Sequence, residues 1–165
     1  MRRQKGSGVV EFTLVGIPMV FVLISVVEMA RGMWIYHSQA YAVNEGVRYV
    51  VVHGAHCASN GNSCTLSVGQ IASHIASVGT GLATPSWNVT LYSATKGSVS
   101  CSPLSSCLTN NNAWPQSPDN AVGASVAIAG SYQFHTALSM FWPGSKPVRF
   151  GAVNLPAYAE QTIQF

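Results

Sequence analysis

Charged side chains are scarce in this chain. They make up 8% of the 165 residues, with eight Lys or Arg and five Asp or Glu. After Gly32 only four basic residues remain, and they are too few and too scattered to form a nucleic-acid-binding face. This fraction of charged residues is low for a freely soluble protein and suits a chain that is packed in a membrane or in an assembly.

Residue patterns that carry catalysis are also missing. After Glu45 the only acidic residues are Asp119 and Glu160, which do not make a convincing pair of catalytic carboxylates. No serine follows a strand in the way of a nucleophile elbow, and no glycine-rich loop precedes a helix to hold phosphate. We therefore expect no catalytic residues, no cofactor and no bound metal ion.

What the chain does have is one long apolar stretch, Gly6–Tyr36. Phe12–Val27 holds sixteen consecutive uncharged residues. Counted from Val9 to Ile35, the stretch is long enough as a helix to cross a bilayer core of roughly 30 Å. A secretory signal peptide would be shorter and would lead into a small-residue cleavage site. Here the stretch leads into aromatic residues typical of a membrane interface, Trp34, Tyr36 and Tyr41. We predict a retained membrane helix over residues 7–35.

The residues flanking this helix predict its orientation. Arg2, Arg3 and Lys5 stand just before it, and an excess of basic residues marks the cytoplasmic side. Residues 36–165 then lie outside the cytoplasm.

Four cysteines agree with that placement. Cys57 and Cys64 are seven residues apart, and Cys101 and Cys107 are six apart. Three pairings are possible, and we favour the two local ones because short loops close with the least search. Disulfides persist in an oxidising compartment. The alternative is a metal site with the ligands His53, His56, Cys57 and Cys64. The spacing of these four residues fits no zinc-binding pattern.

The remaining pattern predicts an α+β fold, with a long N-terminal helix packed on a small antiparallel sheet. The helix should extend to Val52, and its outer half repeats apolar residues at three- and four-residue steps: Tyr36, Ala40, Val43, Val47 and Val50. Glu28 and Arg31, and likewise Glu45 and Arg48, are spaced to meet on the helix surface. Ser67 should cap a second helix whose apolar face includes Ile71 and Ile75.

Strands are expected in the second half of the chain. Residues 87–92 alternate as a half-buried strand, and Ala121–Phe134 alternates most strongly. Ser93–Asn120 is poor in apolar residues and predicts a long exposed loop. After an apolar connection, His135–Gly144, a third strand should begin with Val148, Phe150 and Ala152, break at Pro156 and resume through Ile163.

The N-terminus resembles that of type IV pilins, and within them the TadE-like proteins of the Flp (tight adherence) pilus. The residues that carry the resemblance recur in order: Val10-Glu11-Phe12, Leu14-Val15, Pro18, Glu28 to Arg31, and Ala42 to Tyr49 with Glu45-Gly46-Val47-Arg48.

The resemblance implies a structural role. A prepilin peptidase would remove a leader of residues 1–6 by cutting between Gly6 and Ser7, which makes Glu11 the fifth mature residue. Glu11 would then pair with the free terminal amine of a neighbouring subunit. The expected partners are other pilins, the pilus assembly machinery and the lipid membrane. The expected location is the bacterial inner membrane, with residues 36–165 in the periplasm or carried into the pilus.

Two other readings remain. The chain could be a periplasmic binding or sensor module tethered by an uncleaved signal anchor, which has no need of Gly6 or Glu11. A membrane-anchored hydrolase lacks the residues expected of one. The N-terminal residue of the mature protein discriminates the first alternative from a pilin.

Overall fold

The computed structural model describes residues 7–57, 64–136 and 152–164. Its helices are α1, Ser7–Val51, and α2, Val68–Val78. The strands are β1, Trp87–Ser93; β2, Gly97–Cys101; β3, Ser125–Phe134; and β4, Val153–Thr162. They form one antiparallel sheet in the order β2-β1-β3-β4. The predicted α+β class, a long N-terminal helix and a small antiparallel sheet, is confirmed.

The chain divides into two compact units, Met1–Trp34 and Ile35–Phe165. The second unit contains the core, where the outer half of α1 and the apolar face of α2 pack against one face of the sheet. The largest fully buried side chains are Trp87, Ile71, Ile75, Leu91, Leu104, Ile128 and Ile163.

The outer half of α1 buries a different stripe from the one predicted. Val43, Val47 and Val50 are fully buried as expected, but Tyr36 is 45% exposed. Ile35 and the polar Gln39 are buried instead. The buried stripe therefore begins one residue earlier, and the aromatic ring of Tyr36 lies outside it.

Helix α2 begins as predicted at Ser67. The Ser67 hydroxyl accepts a hydrogen bond from the Gln70 backbone N–H, and the Gln70 side chain accepts one from the Ser67 N–H. This reciprocal pair is a capping box, which satisfies backbone donors that the first helical turn leaves free.

The prediction of a long exposed loop at Ser93–Asn120 is wrong. The segment contains β2 and a 3-10 turn, Leu104–Cys107, and it buries Leu104 and Trp114. Its backbone carbonyls at Asn112 and Asn110 accept hydrogen bonds from the first N–H groups of α2, at Val68 and Gly69. Backbone pairing, the Asp119 carboxylate and two buried side chains order this segment, although its apolar content is low.

Two strand boundaries also differ from the prediction. β3 begins at Ser125, not Ala121, because the chain turns at Gly123, whose φ is +86°, and Val122 is 55% exposed. β4 begins at Val153 and continues through Pro156 opposite Ser131, so the predicted break at Pro156 is wrong. An edge strand tolerates proline because one side of it needs no backbone donor. Most of the predicted connection after His135, and the strand start at Val148 and Phe150, lie outside the described residues.

Candidate functional site

The apolar part of α1 is the first candidate for a functional surface. Within Gly8–Val51 an 18-residue stretch has a mean hydropathy of 2.3 and buries none of its residues inside the chain. The exposed large apolar side chains between Val9 and Trp34 are 52% to 76% exposed. By length and composition this helix is able to cross a membrane, and a helix that is apolar all round needs lipid or other protein around it.

Polar side chains inside this stretch bond to the helix itself. The Thr13 hydroxyl donates to the carbonyls of Val9 and Val10, each at 3.0 Å, and the Ser25 hydroxyl donates to the carbonyl of Phe21 at 2.8 Å. Such bonds remove the need for water, which is the condition for a polar group to sit in hydrocarbon.

The charged residues of α1 lie at intervals along it. Glu11 is on the exposed surface one turn into the helix, which begins at Ser7. Arg31 Nη1 lies 3.0 Å from Glu28 Oε1, so these two charges are paired where the apolar stretch ends. In the described part of the chain no ion pair joins Glu45 to Arg48, although the same spacing separates them. Gly6 lies outside the described residues.

Both cysteine pairs form local disulfides, Cys57–Cys64 and Cys101–Cys107. The first lies shortly after α1, and the second ties the end of β2 to the 3-10 turn. Cys57 and Cys101 are almost completely buried. Oxidised sulfurs are not thiolates, so Cys57 and Cys64 are not available as metal ligands in this state.

A second polar site, which the sequence reasoning missed, surrounds the buried carboxylate of Asp119. Its oxygens accept hydrogen bonds from the Thr95 backbone N–H, the Thr95 hydroxyl at 2.7 Å and the Lys96 backbone N–H at 2.8 Å. Asp119 is 2% exposed, and burial alone raises its pKa. The hydrogen bonds from Thr95, Lys96 and Ser93 outweigh that effect and lower its pKa from 3.8 to about 2.

This arrangement is structural. The carboxylate bridges the turn between β1 and β2 to the segment that follows the second disulfide. Its donors Thr95 and Lys96 lie in that turn, and Ser93 ends β1 just before it. The only feature of the sequence that could have pointed to this site is that acidic residues are rare there: Asp119 is one of two after Glu45.

Comparison with known proteins adds one match. Residues 6–48 match the family model described as TadE-like protein. The N-terminal segment is TadE-like. The match confirms that residues 6–48 resemble the TadE-like family.

The TadE-like match ends within α1, before α2 and all four strands. No curated protein and no solved structure matches the chain. The sheet, the disulfides and the Asp119 site therefore have to be interpreted from their own geometry.

Proposed function

We propose that this chain is a TadE-like minor pilin or pseudopilin that supports assembly of an adhesive Flp-type (Tad) pilus. The observation that carries the proposal is the TadE-like segment itself, a helix that presents apolar side chains on its whole surface and carries Glu11 near its start. A helix of this kind serves first as a membrane anchor and then as a packing element among other pilin helices.

The proposed orientation places the N-terminus in the cytoplasm. Arg2, Arg3 and Lys5 precede the helix, and basic residues collect on the cytoplasmic side. Residues 36–165 then form the periplasmic domain, after a transmembrane helix of residues 7–35. The two disulfides support this assignment because they persist in an oxidising compartment.

The proposed processing step is cleavage between Gly6 and Ser7 by a prepilin peptidase. It removes residues 1–6 and leaves Ser7 with a free amine, at the residue where α1 begins. Glu11 is then the fifth mature residue and lies one helical turn further along. A carboxylate in hydrocarbon costs about 2.5–3.5 kcal/mol on insertion scales, so an opposite charge there is strongly favoured. We propose that this charge is the terminal amine of a neighbouring subunit.

The function is tested by replacing Glu11 with Gln. Removing the charge makes the helix more apolar, so the variant should be made and inserted at the wild-type level. Its neighbour's amine would lose its partner, so recovery of pilin partners by cross-linking and the number of pili should both fall. Glu45→Gln is the matched control, because it makes the same chemical change in the outer half of α1 and should leave piliation intact.

Processing is tested separately by mass spectrometry of the membrane-extracted protein. A chain that starts at Ser7 supports cleavage, and Gly6→Leu should retain the leader. If the wild type keeps residues 1–6 and Glu11→Gln assembles normal pili with equal recovery of partners, the pilin assignment is wrong and the chain is better described as a tethered periplasmic module.

A further inference from the structure

The sheet has a second face, which points away from the core, and it carries a groove. Along β1 the buried side chains of Trp87, Val89 and Leu91 alternate with outward ones, the last of which is Tyr92. On β4 the outward side chains include Tyr158 and Glu160. We call this the outer sheet face.

At the groove, the strand between them, β3, contributes only small side chains to the outer sheet face: Ser125, Ala127 and Ala129. Ala127 pairs with Tyr92 on one side and with Glu160 on the other, and Ala129 pairs with Tyr158. Two strand spacings separate β1 from β4, about 10 Å. The result is a groove of about 390 Å³ with an alanine floor, walled by Tyr92 on one side and by Tyr158 and Glu160 on the other. We call it the tyrosine groove.

The carboxylate of Glu160 is held in place by its neighbours. Its two oxygens accept hydrogen bonds from the Ser125 hydroxyl at 2.5 Å and from the Tyr158 hydroxyl at 2.7 Å. The bond from Ser125 and the bond from Tyr158 lower the pKa of Glu160, so it carries its negative charge at neutral pH. The hydrogen bond from Tyr158 also holds its hydroxyl beside the carboxylate of Glu160.

The groove thus presents a fixed negative charge beside two exposed aromatic rings. Tyr92 is 44% exposed and Tyr158 is 61% exposed. Among the described residues no Lys, Arg or His forms an ion pair with Glu160. Lys96, on the neighbouring turn, does not line the groove. A carboxylate attracts a cation, and the faces of tyrosine rings attract a cation as well.

We propose that the tyrosine groove binds a cationic side chain, an arginine or lysine, presented by a partner protein. The charge would lie against Glu160, and the side chain would lie between the rings of Tyr92 and Tyr158 above Ala127. A neutral ligand gains from the rings but leaves the carboxylate without a counter-charge. This site is distinct from the apolar helix and does not depend on the pilin assignment.

The test uses the full-length protein in detergent, with ¹³C-labelled alanine methyl groups, and N-acetyl-arginine amide as the probe. The methyl groups of Ala127 and Ala129 form the groove floor, so their NMR signals should shift during the titration. N-acetyl-citrulline amide has nearly the same shape without the charge and should produce little shift. The proposal is overturned if the citrulline probe, or the neutral sugar methyl glucoside, produces shifts as large as those of the arginine probe. It is also overturned if the arginine probe produces no shift.

Variants locate the binding site. Glu160→Gln should weaken binding of the arginine probe about fivefold, as for an exposed charge pair. Tyr92→Leu should weaken it about threefold, as for one exposed cation–π contact. The matched controls Glu45→Gln and Tyr41→Leu should bind like wild type, and loss of binding in these controls contradicts the assigned site.

A further experiment tests whether a cationic side chain of this same chain fills the groove. Lys146 and Arg149 lie outside the described residues. If the arginine probe binds only after both are changed to Gln, the groove is filled by this chain itself and the proposal of a partner's side chain is wrong. Unchanged binding in that variant supports the proposal.

Discussion

Asp119 accepts hydrogen bonds from the backbone N–H of Thr95 through both of its carboxylate oxygens, at 3.1 and 2.9 Å, although 24 residues separate the two. The contact joins the two ends of Ser93–Asn120, the segment whose composition predicted a loop. It joins the turn between β1 and β2 to the chain that returns towards β3. The carboxylate is buried and accepts hydrogen bonds from two backbone N–H groups and from the Thr95 hydroxyl, so an amide in its place cannot accept the same set.

The first prediction is that Asp119→Asn destabilises the domain. The amide has one acceptor oxygen where the carboxylate has two, and its NH₂ group would face the N–H donors of Thr95 and Lys96. We expect a loss of about 2 kcal/mol in the free energy of unfolding, in the range for hydrogen bonds to a charged group. Urea unfolding of the detergent-solubilised protein, followed by tryptophan fluorescence, measures it. Glu45 is a half-buried carboxylate with no ion pair in the described part of the chain, so Glu45→Gln should change stability by much less.

The second prediction is a dependence on pH that comes from the same carboxylate. Its pKa is 3.8 as an unperturbed group and about 2 in the folded protein, so below 3.8 the unfolded chain binds the proton more readily. The stabilisation is present above the unfolded pKa and is lost as the pH falls through about 2. The gap in stability between wild type and Asp119→Asn should therefore shrink as the pH falls from 4 to 2. A gap that stays constant over that interval contradicts the assignment.

The third prediction compares two glycines of α1. A Cβ at Gly46 would lie 2.6 Å from Ile75 Cγ1, whereas the nearest atom to a Cβ at Gly16 is Phe12 Cε1 at 3.8 Å. Gly46→Ala should cost about 1–3 kcal/mol through overpacking. Gly16→Ala should be neutral or slightly stabilising, because alanine favours the helix.

Unfolding of the detergent-solubilised variants measures this difference. The cause is checked with Ile75→Ala, which removes the atoms that collide with the new methyl group. The double variant Gly46→Ala/Ile75→Ala should lose less free energy of unfolding than the sum of the losses in the two single variants. Strict additivity means that the collision is not the cause.

The fourth prediction concerns the start of α2. Ser67→Ala removes the hydroxyl that caps the Gln70 N–H and should cost about 1 kcal/mol. Ser73→Ala, on the exposed surface of the same helix, makes the same change away from the cap and serves as the control. Equal stability of the two variants means that the capping box contributes nothing measurable.

Local features of the chain were accessible from the sequence alone. The apolar run predicted the long helix, Ser67 with its apolar spacing predicted α2, and the alternation at Trp87, Val89 and Leu91 predicted β1. The order Glu11, Glu28 to Arg31 and Glu45 to Arg48 identified the TadE-like segment. These signals are readable because each depends on neighbours within a few turns or residues of the chain.

Other features were decided only by the tertiary structure. Ser93–Asn120 is ordered because β2 pairs with β1 and Asp119 binds the turn at Thr95, and both contacts join residues that are distant in sequence. β4 runs through Pro156 because it is the edge strand, a position that depends on the order of the whole sheet. The tyrosine groove exists because β3 places Ala127 between Tyr92 and Glu160. No local pattern encodes these pairings, since each depends on which strands the fold brings side by side.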